Sequence, residues 1–272
     1  MKVAALQMVS TPDPQANLAT ALSLIAQAAA QGAELVALPE YFCLMGHRDA
    51  DKLAIAEAPG HGPLQDALSQ SAREHGVWIV GGTLPIQASQ PGRVFNACIV
   101  WDPQGQAVAR YDKIHLFCFD NGRERYDEAQ VLEAGQQPVS FHVTSRDGER
   151  FHVGLAICYD LRFPELFRQW QGDEALDAIV LPAAFTYTTG LAHWNLLLRA
   201  RAVENLCHVL AIGQGGEHPN GRRTFGHSQS IAPWGEVQAL LEEGQGVVMG
   251  EWSRAELAKV RQQLPALQHR RF

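Results

Sequence analysis

Three side chains of complementary chemistry stand where apolar, strand-like runs give out. Glu40 follows Leu35-Val-Ala-Leu-Pro39, Lys113 follows Val108-Ala-Arg-Tyr-Asp112, and Cys158 ends Val153-Gly-Leu-Ala-Ile157. In open α/β sheets, ligand sites gather where strands end and loops begin. A thiol there can attack a carbonyl or nitrile carbon. A carboxylate can take the thiol proton and later activate water. An ammonium can stabilise the tetrahedral oxyanion, aided by the backbone N–H of Tyr159. The residues after Cys158 predict a helix start, with Asp160 as N-cap and Pro164 near the first turn. A thiol just ahead of that start would face the positive end of the helix dipole, which favours the thiolate. Taken singly, each residue has a plainer role: a core cysteine, a loop carboxylate, a solvated lysine. Only their convergence makes a nucleophile, a base and an oxyanion donor.

Segments of alternating type must bring them together. Lys2–Met8 is a short apolar run. Gln15–Gln31 carries Leu18, Leu22, Ile25 and Ala29 at helical spacing, and Gly32 ends it. Glu34–Pro39 reads as a buried strand, Leu64–His75 as a helix and Val77–Val80 as a strand. Val94–Trp101 and Gln106–Tyr111 flank the turn Asp102-Pro-Gln-Gly105. Phe151–Ile157, Asp177–Leu181 and Cys207–Ile212 are further strands, with helices at Pro164–Trp170 and Trp194–Asn205. A late hairpin turns at Ala232–Glu236. This order predicts a mixed-sheet α/β fold, two sheets faced by helices, in a single domain over 1–272. Gln31–Pro39 and Glu174–Pro182 echo one another, each coupling a helix end to a strand that closes in Leu-Pro.

Composition narrows the function. Of 272 residues, 22 are Lys or Arg and 29 Asp or Glu, so the net charge is −7. That balance argues against nucleic acid as the main partner, because phosphate neutralisation needs clustered cations. With 46% hydrophobic residues the chain can bury a core and need not be disordered. No signal peptide is evident, and the most lipid-like stretch, 178–198, is broken by Pro182, Gly190, His193 and Asn195, so no membrane span is expected. Five cysteines without CxxC spacing argue against a disulfide framework and for a cytoplasmic location. GxSxG, GxGxxG, GxxxxGK and HExxH are absent, which weakens serine-hydrolase, dinucleotide, P-loop and zinc readings; no metal or organic cofactor is expected.

Leu38-Pro-Glu-Tyr-Phe42, Tyr111-Asp-Lys-Ile-His-Leu-Phe117 and Gly154-Leu-Ala-Ile-Cys-Tyr-Asp-Leu-Arg-Phe-Pro-Glu-Leu166 resemble the carbon–nitrogen hydrolases of the nitrilase superfamily. The likeness continues through Pro182-Ala-Ala-Phe185, Thr189-Gly-Leu-Ala-His-Trp194, Leu198–Asn205, Gly226-His-Ser228, Pro233-Trp-Gly-Glu236 and Leu264–Arg271, essentially the whole chain. It implies an αββα sandwich, two mixed β-sheets flanked by helices. It also implies a catalytic triad of Glu40 as proton acceptor, Lys113 as proton donor or oxyanion stabiliser, and Cys158 as nucleophile. Such proteins pair into homodimers of four-layer sandwiches, which makes the tail, about 253–272, a candidate to pack on a partner subunit. A further glutamate implied by the resemblance falls at Glu128, orienting Lys113 or the substrate amide. Phe185 and Thr189 are expected at the substrate, and Arg162 and Glu165 as braces of the turn or of a subunit contact.

The lysine loop, Phe117-Cys-Phe-Asp-Asn-Gly-Arg-Glu-Arg125, lacks the aspartate-rich, Pro-Gly pattern of related amidases, which leaves the substrate open. Cys118 is expected in the pocket wall and Cys43, Cys98 and Cys207 in the core. Within the superfamily the sequence looks most like deaminated-glutathione amidases, whose substrate is a 2-oxo-acid amide bearing a peptide tail. Omega-amidases acting on 2-oxoglutaramate or 2-oxosuccinamate are the near alternative. N-carbamoyl amidohydrolases, nitrilases and a catalytically silent scaffold follow. Both leading substrate classes carry carboxylates, so an Arg or Lys is expected in the pocket.

Overall fold

A computed structural model of the protein describes residues 1–122, 125–170 and 175–271. Arg123 and Glu124 of the lysine loop, and Glu174 of the internal echo, lie outside the described residues. The first half of the chain supplies β1 (Lys2–Gln7), α1 (Pro14–Ala30), β2 (Leu35–Ala37), α2 (Pro63–His75), β3 (Trp78–Val80), β4 (Leu84–Gln87), β5 (Val94–Trp101) and β6 (Ala107–Asp112). A short ribbon, β7 (Cys118–Asp120) and β8 (Arg125–Asp127), leads to β9 (Ser140–Thr144), β10 (Arg150–Leu155), α3 (Pro164–Phe167), β11 (Ala178–Ala183), α4 (Tyr187–Asn205) and β12 (His208–Gly213). A second ribbon, β13 (Gly215–Glu217) and β14 (Arg223–Phe225), precedes β15 (Ser228–Ile231), β16 (Val237–Leu241), β17 (Gly246–Glu251) and α5 (Arg254–Gln263).

The strands form two mixed sheets. One runs β17-β1-β2-β3-β5-β4 with β6 added on β5, and the other runs β16-β15-β12-β11-β10-β9. β1, β2 and β3 are parallel, as are β10, β11 and β12, and antiparallel strands complete each sheet. Side chains that alternate along β1 divide the core. Val3 and Ala5 pack between the sheets with Phe151, Val153 and Ala178, whereas Ala4 and Leu6 pack under α1 and α2 with Leu24, Ile25 and Leu68. Trp194 and Leu198 of α4 join the apolar cluster of the second sheet. The layers are therefore α–β–β–α in a single domain, as the sequence predicts. The parallel strands are buried on both faces, which is why they read as continuous apolar runs.

Local chemistry sets the helix limits. Asp13 caps α1 by accepting from the N–H groups of Gln15 and Ala16, and Pro14 occupies the first turn. α3 is shorter than the predicted Pro164–Trp170, ending at Phe167. α4 starts at Tyr187, two turns before the predicted Trp194, because Gly190 does not break it. A Cβ on Gly190 would lie 2.3 Å from the Phe225 side chain, so the residue is a contact point between helix and ribbon. β4, β9, β17, α5 and both ribbons were not anticipated. β17 pairs with β1 from Lys2↔Glu251 to Gln7↔Gly246, and α5 folds back on its own chain through buried Leu257 and Val260. Arg261 of α5 donates to Leu206 O, Leu176 O and the Asp177 carboxylate.

Candidate active site

The three residues singled out at strand ends do converge. Glu40 follows β2, Lys113 follows β6 and Cys158 follows β10, at the same end of the sandwich. Lys113 Nζ donates to Glu40 Oε1 at 2.8 Å and to both oxygens of Glu128, at 3.0 and 2.8 Å. The Cys158 thiol lies near enough to Glu40, Lys113 and Glu128 to feel the charge of all three. Glu40 is held from two further directions, by Asn96 Nδ2 of β5 at 2.9 Å on Oε1 and by the Ala184 N–H at 2.8 Å on Oε2. Glu128 accepts from the Tyr41 phenol at 2.7 Å and from the Phe117 N–H at 2.7 Å. Every carboxylate oxygen of the pair thus has at least one donor, as burial requires.

The turn that carries Cys158 is locally strained. Cys158 has φ +48° and Tyr41, next to Glu40, has φ +57°, both in the left-handed region that non-glycine residues avoid. Asp160 is fully buried and holds the first of these turns. It accepts from Ile157 N–H at 2.8 Å, Tyr111 OH at 2.7 Å and His115 N–H at 3.2 Å, and its other close contact is His115 Nδ1 at 2.7 Å. It therefore ties the Cys158 turn to the segment that carries Lys113. Arg201 of α4 adds a brace, donating twice to Leu161 O.

This overturns two expectations. Asp160 does not cap a helix after Cys158: a five-residue 3-10 turn, Cys158–Arg162, intervenes, and α3 is only four residues long. No extended dipole then stabilises a thiolate. Burial pushes the Cys158 thiol well above its ordinary value, the charge of Glu40 adds to this, and Lys113 offsets only part of it. Burial and the Glu40 charge both favour the protonated thiol over the thiolate at Cys158. Burial lowers Lys113, but Glu128 and Glu40 more than offset this and hold it as an ammonium. Burial likewise opposes ionisation of Glu128, yet Lys113 and the Phe117 and Tyr41 bonds bring its carboxyl below the ordinary value.

A cleft of about 340 Å³ opens over the cluster. Cys158, Glu40, Tyr41 and Glu128 line it, with Phe117, Tyr159, Phe185 and Thr189 on its walls. Arg162 and Arg222 also line it. Arg162, expected only as a brace, has its guanidinium over the Phe185 ring at 5.2 Å and bonds His193 Nδ1 at 3.2 Å, with no carboxylate partner among the described residues. Glu165 is exposed and does not line the cleft. Cys118 is also exposed and lies outside the cleft wall, which corrects that expectation: alternation along the chain turns Phe117 inward and Cys118 outward. Cys43, Cys98 and Cys207 are buried packing residues, and all five cysteines are free thiols.

Tyr41, Asn96, the Ala184 N–H and Arg222 were not identified from the sequence. Tyr41 had the strongest signal, lying next to Glu40 within a quoted motif. Among the described residues no cluster of three or more His, Cys, Asp or Glu could hold a metal ion, and no helix is long and apolar enough to cross a membrane.

Comparison with known proteins agrees with this geometry. The profile of the family described as "Carbon-nitrogen hydrolase" matches residues 2–262. A protein of Synechocystis named deaminated glutathione amidase is 41% identical over 272 residues, covering 99% of this chain and 97% of its own. An omega-amidase of Xenopus laevis is 36% identical, covering 99% and 95%. The crystal structure of the C. elegans NitFhit protein superposes with a TM-score of 0.87 at 33% identity, over 99% of this chain and 65% of that longer one.

Proposed function

The chain belongs to the carbon-nitrogen hydrolase family, whose members act on non-peptide C–N bonds, and from that premise we propose that it hydrolyses the amide of a small 2-oxo acid through a thioester on Cys158. The observation that carries this reading is the buried Lys113 bridging Glu40 and Glu128 beside the Cys158 thiol. In the first half-reaction Glu40 takes the thiol proton as Cys158 Sγ attacks the amide carbon. Lys113 Nζ and the Tyr159 N–H stabilise the oxyanion. Glu40 then returns the proton to the leaving nitrogen, the C–N bond breaks, and the amine departs. A primary amide loses ammonia; an amide whose nitrogen carries a peptide tail loses that tail. In the second half-reaction Glu40 deprotonates a water that attacks the thioester, and the acid leaves with the thiol restored. Glu128 touches no reacting atom in this scheme; it positions Lys113.

The preferred substrate is deaminated glutathione, the activity named for the Synechocystis relative. 2-Oxoglutaramate or 2-oxosuccinamate, an omega-amidase activity, is the second reading, favoured by the Xenopus relative. Both offer a carboxylate, which Arg162, packed on Phe185 with no acidic partner among the described residues, is suited to receive. The enzyme acts as a homodimer in the cytoplasm: Leu196 and Val203 are 69% and 45% exposed, seven residues apart on one face of α4 that a second copy would cover, and five free thiols suit a reducing compartment. The domain is the whole chain, and residues 264–271, exposed or half-buried, are the part of the tail left to meet a partner.

The test is formation of 2-oxoglutarate from deaminated glutathione and from 2-oxoglutaramate by the wild type and by Cys158→Ala. Turnover by the wild type and none by the variant is expected. Equal turnover by both proteins would refute the thioester route.

A further inference from the structure

We propose that Arg222 is a specificity-determining residue that binds a carboxylate on the leaving-group side of the scissile amide, and so selects amides whose nitrogen carries an acidic tail. The inference rests on the amidase reading above and deepens it.

Arg222 has no part in the triad chemistry. Glu40, Lys113 and Glu128 complete their bonds without it, yet it lines the same cleft. It comes from a different element than Arg162, the link between β13 and β14, and that link is rigid. Arg222 N–H donates to Asn220 Oδ1 at 2.9 Å, and His218 N–H donates to Arg222 O at 2.8 Å. Asn220 Nδ2 in turn donates to Gly46 O at 2.7 Å, and buried His218 bonds Ser10 O and Thr224 Oγ1. The guanidinium lies over the Tyr126 ring at 5.1 Å. Its one ion pair among the described residues is a long 4.0 Å approach to Asp49, a carboxylate already held by Lys52 at 3.0 Å. A preorganised cation, weakly compensated and facing a cleft, is poised for an anion.

Chemistry assigns the side. The leaving nitrogen must face Glu40, because Glu40 gives it the proton. Tyr41 follows Glu40 in the chain and lines the cleft with it, and the charge of Arg222 reaches the Tyr41 phenol. Arg162 instead packs on Tyr159 and Phe185, beside the oxyanion donor. The acyl group therefore lies towards Arg162 and the departing amine towards Arg222. Two guanidiniums brought to one cleft by different elements, Arg162 over Tyr159 and Phe185 and Arg222 over Tyr126, suit a substrate with a carboxylate at each end. A primary amide has only the first.

Three amides of one acyl group isolate the claim: 2-oxoglutaramate, deaminated glutathione, and deaminated glutathione with its terminal carboxylate converted to the carboxamide. All give the same thioester and the same 2-oxoglutarate. The wild type is expected to prefer the carboxylate tail over the carboxamide tail. In Arg222→Gln the kcat/KM for the carboxylate tail should fall about 10- to 100-fold, mainly through KM, as for the loss of one bond to a charged group. That fall should exceed the change on 2-oxoglutaramate at least tenfold, and Arg222→Lys should recover part of the preference. Equal losses on all three amides, or an unchanged preference for the carboxylate tail, would overturn the assignment of Arg222 while leaving the amidase reading intact. A wild type that releases 2-oxoglutarate from none of them would overturn both.

Discussion

Glu128→Gln tests the claim that Lys113 is held by a second glutamate. The substitution keeps the shape of the side chain and removes its charge. Each carboxylate oxygen of Glu128 accepts two bonds: Oε1 from the Tyr41 phenol and Lys113, Oε2 from the Phe117 N–H and Lys113. An amide cannot reproduce this in either orientation. If its NH2 takes the Oε2 place it confronts Lys113 and the Phe117 N–H; if it takes the Oε1 place it confronts Lys113 and Tyr41. One charge-assisted bond is lost, at about 1.5–3 kcal/mol, and one buried donor is left without an acceptor, at about 1–3 kcal/mol. Solvent screens little of this, because the Lys113 side chain is 0% and that of Glu128 12% exposed. Lys113 keeps Glu40, so the full penalty of an orphaned buried charge is avoided. The sum is about 2.5–6 kcal/mol, and at about 2 °C per kcal/mol for a chain of this size the melting temperature should fall by about 5–12 °C. Lys113, no longer fixed, should also serve the oxyanion poorly, with kcat lower by about 10²–10³-fold. Calorimetry and single-turnover acid release read the two effects separately. A variant that melts within 1 °C of the wild type and turns over within about threefold of it, far inside those ranges, would refute the argument that Glu128 positions Lys113.

Three further outcomes follow from the same geometry. A bulky maleimide at pH 7.5 should label exposed Cys118 first and Cys158 only slowly, because burial holds the Cys158 thiol protonated; Cys43 and Cys207, pushed up to about 12, should stay unlabelled in the native protein. Peptide mapping that finds Cys158 modified first would revive a resting thiolate. The Glu128–Lys113 pair also fixes a pH window. A carboxyl held below its unfolded value of about 4.3 stabilises the fold above that pH and loses its contribution as pH falls through the folded value. An ammonium held above about 10.4 contributes fully below that pH and is lost only as pH rises past it. Urea midpoints should therefore fall from pH 5 to pH 3 in the wild type and fall less in Glu128→Gln; equal slopes would count against the pair. Asp160→Asn should cost about 3 kcal/mol in urea unfolding and lower kcat more than it raises KM, because it loosens the turn carrying Cys158 while leaving the cleft walls in place. A change confined to KM would place Asp160 in substrate binding instead.

What the sequence disclosed and what it hid divide along a physical line. Glu40 and Cys158 were legible because each closes an apolar run, and a parallel strand buried on both faces has an unmistakable end, whereas Lys113 follows the antiparallel, half-exposed β6 and stood out by the motif around it. Asn96 and the Ala184 N–H were not, because their role is a bond across 56 and 144 residues of chain that no local pattern encodes. Asp160 was visible but misread: an aspartate shortly before Pro164 has the same pattern whether its carboxylate caps the next helix or turns back to Ile157 N–H, and only the fold brings Tyr111 and His115 to it. The thiolate expectation failed for the same reason. It counted a dipole that a four-residue helix does not supply, and it omitted burial and two carboxylates brought from elsewhere in the fold. A thiolate would add negative charge beside Glu40 and Glu128, which oppose it, and Lys113 offsets only part of that. In the proposed mechanism the proton therefore leaves Cys158 as the Sγ–C bond forms and negative charge moves onto the substrate oxygen, where Lys113 can meet it.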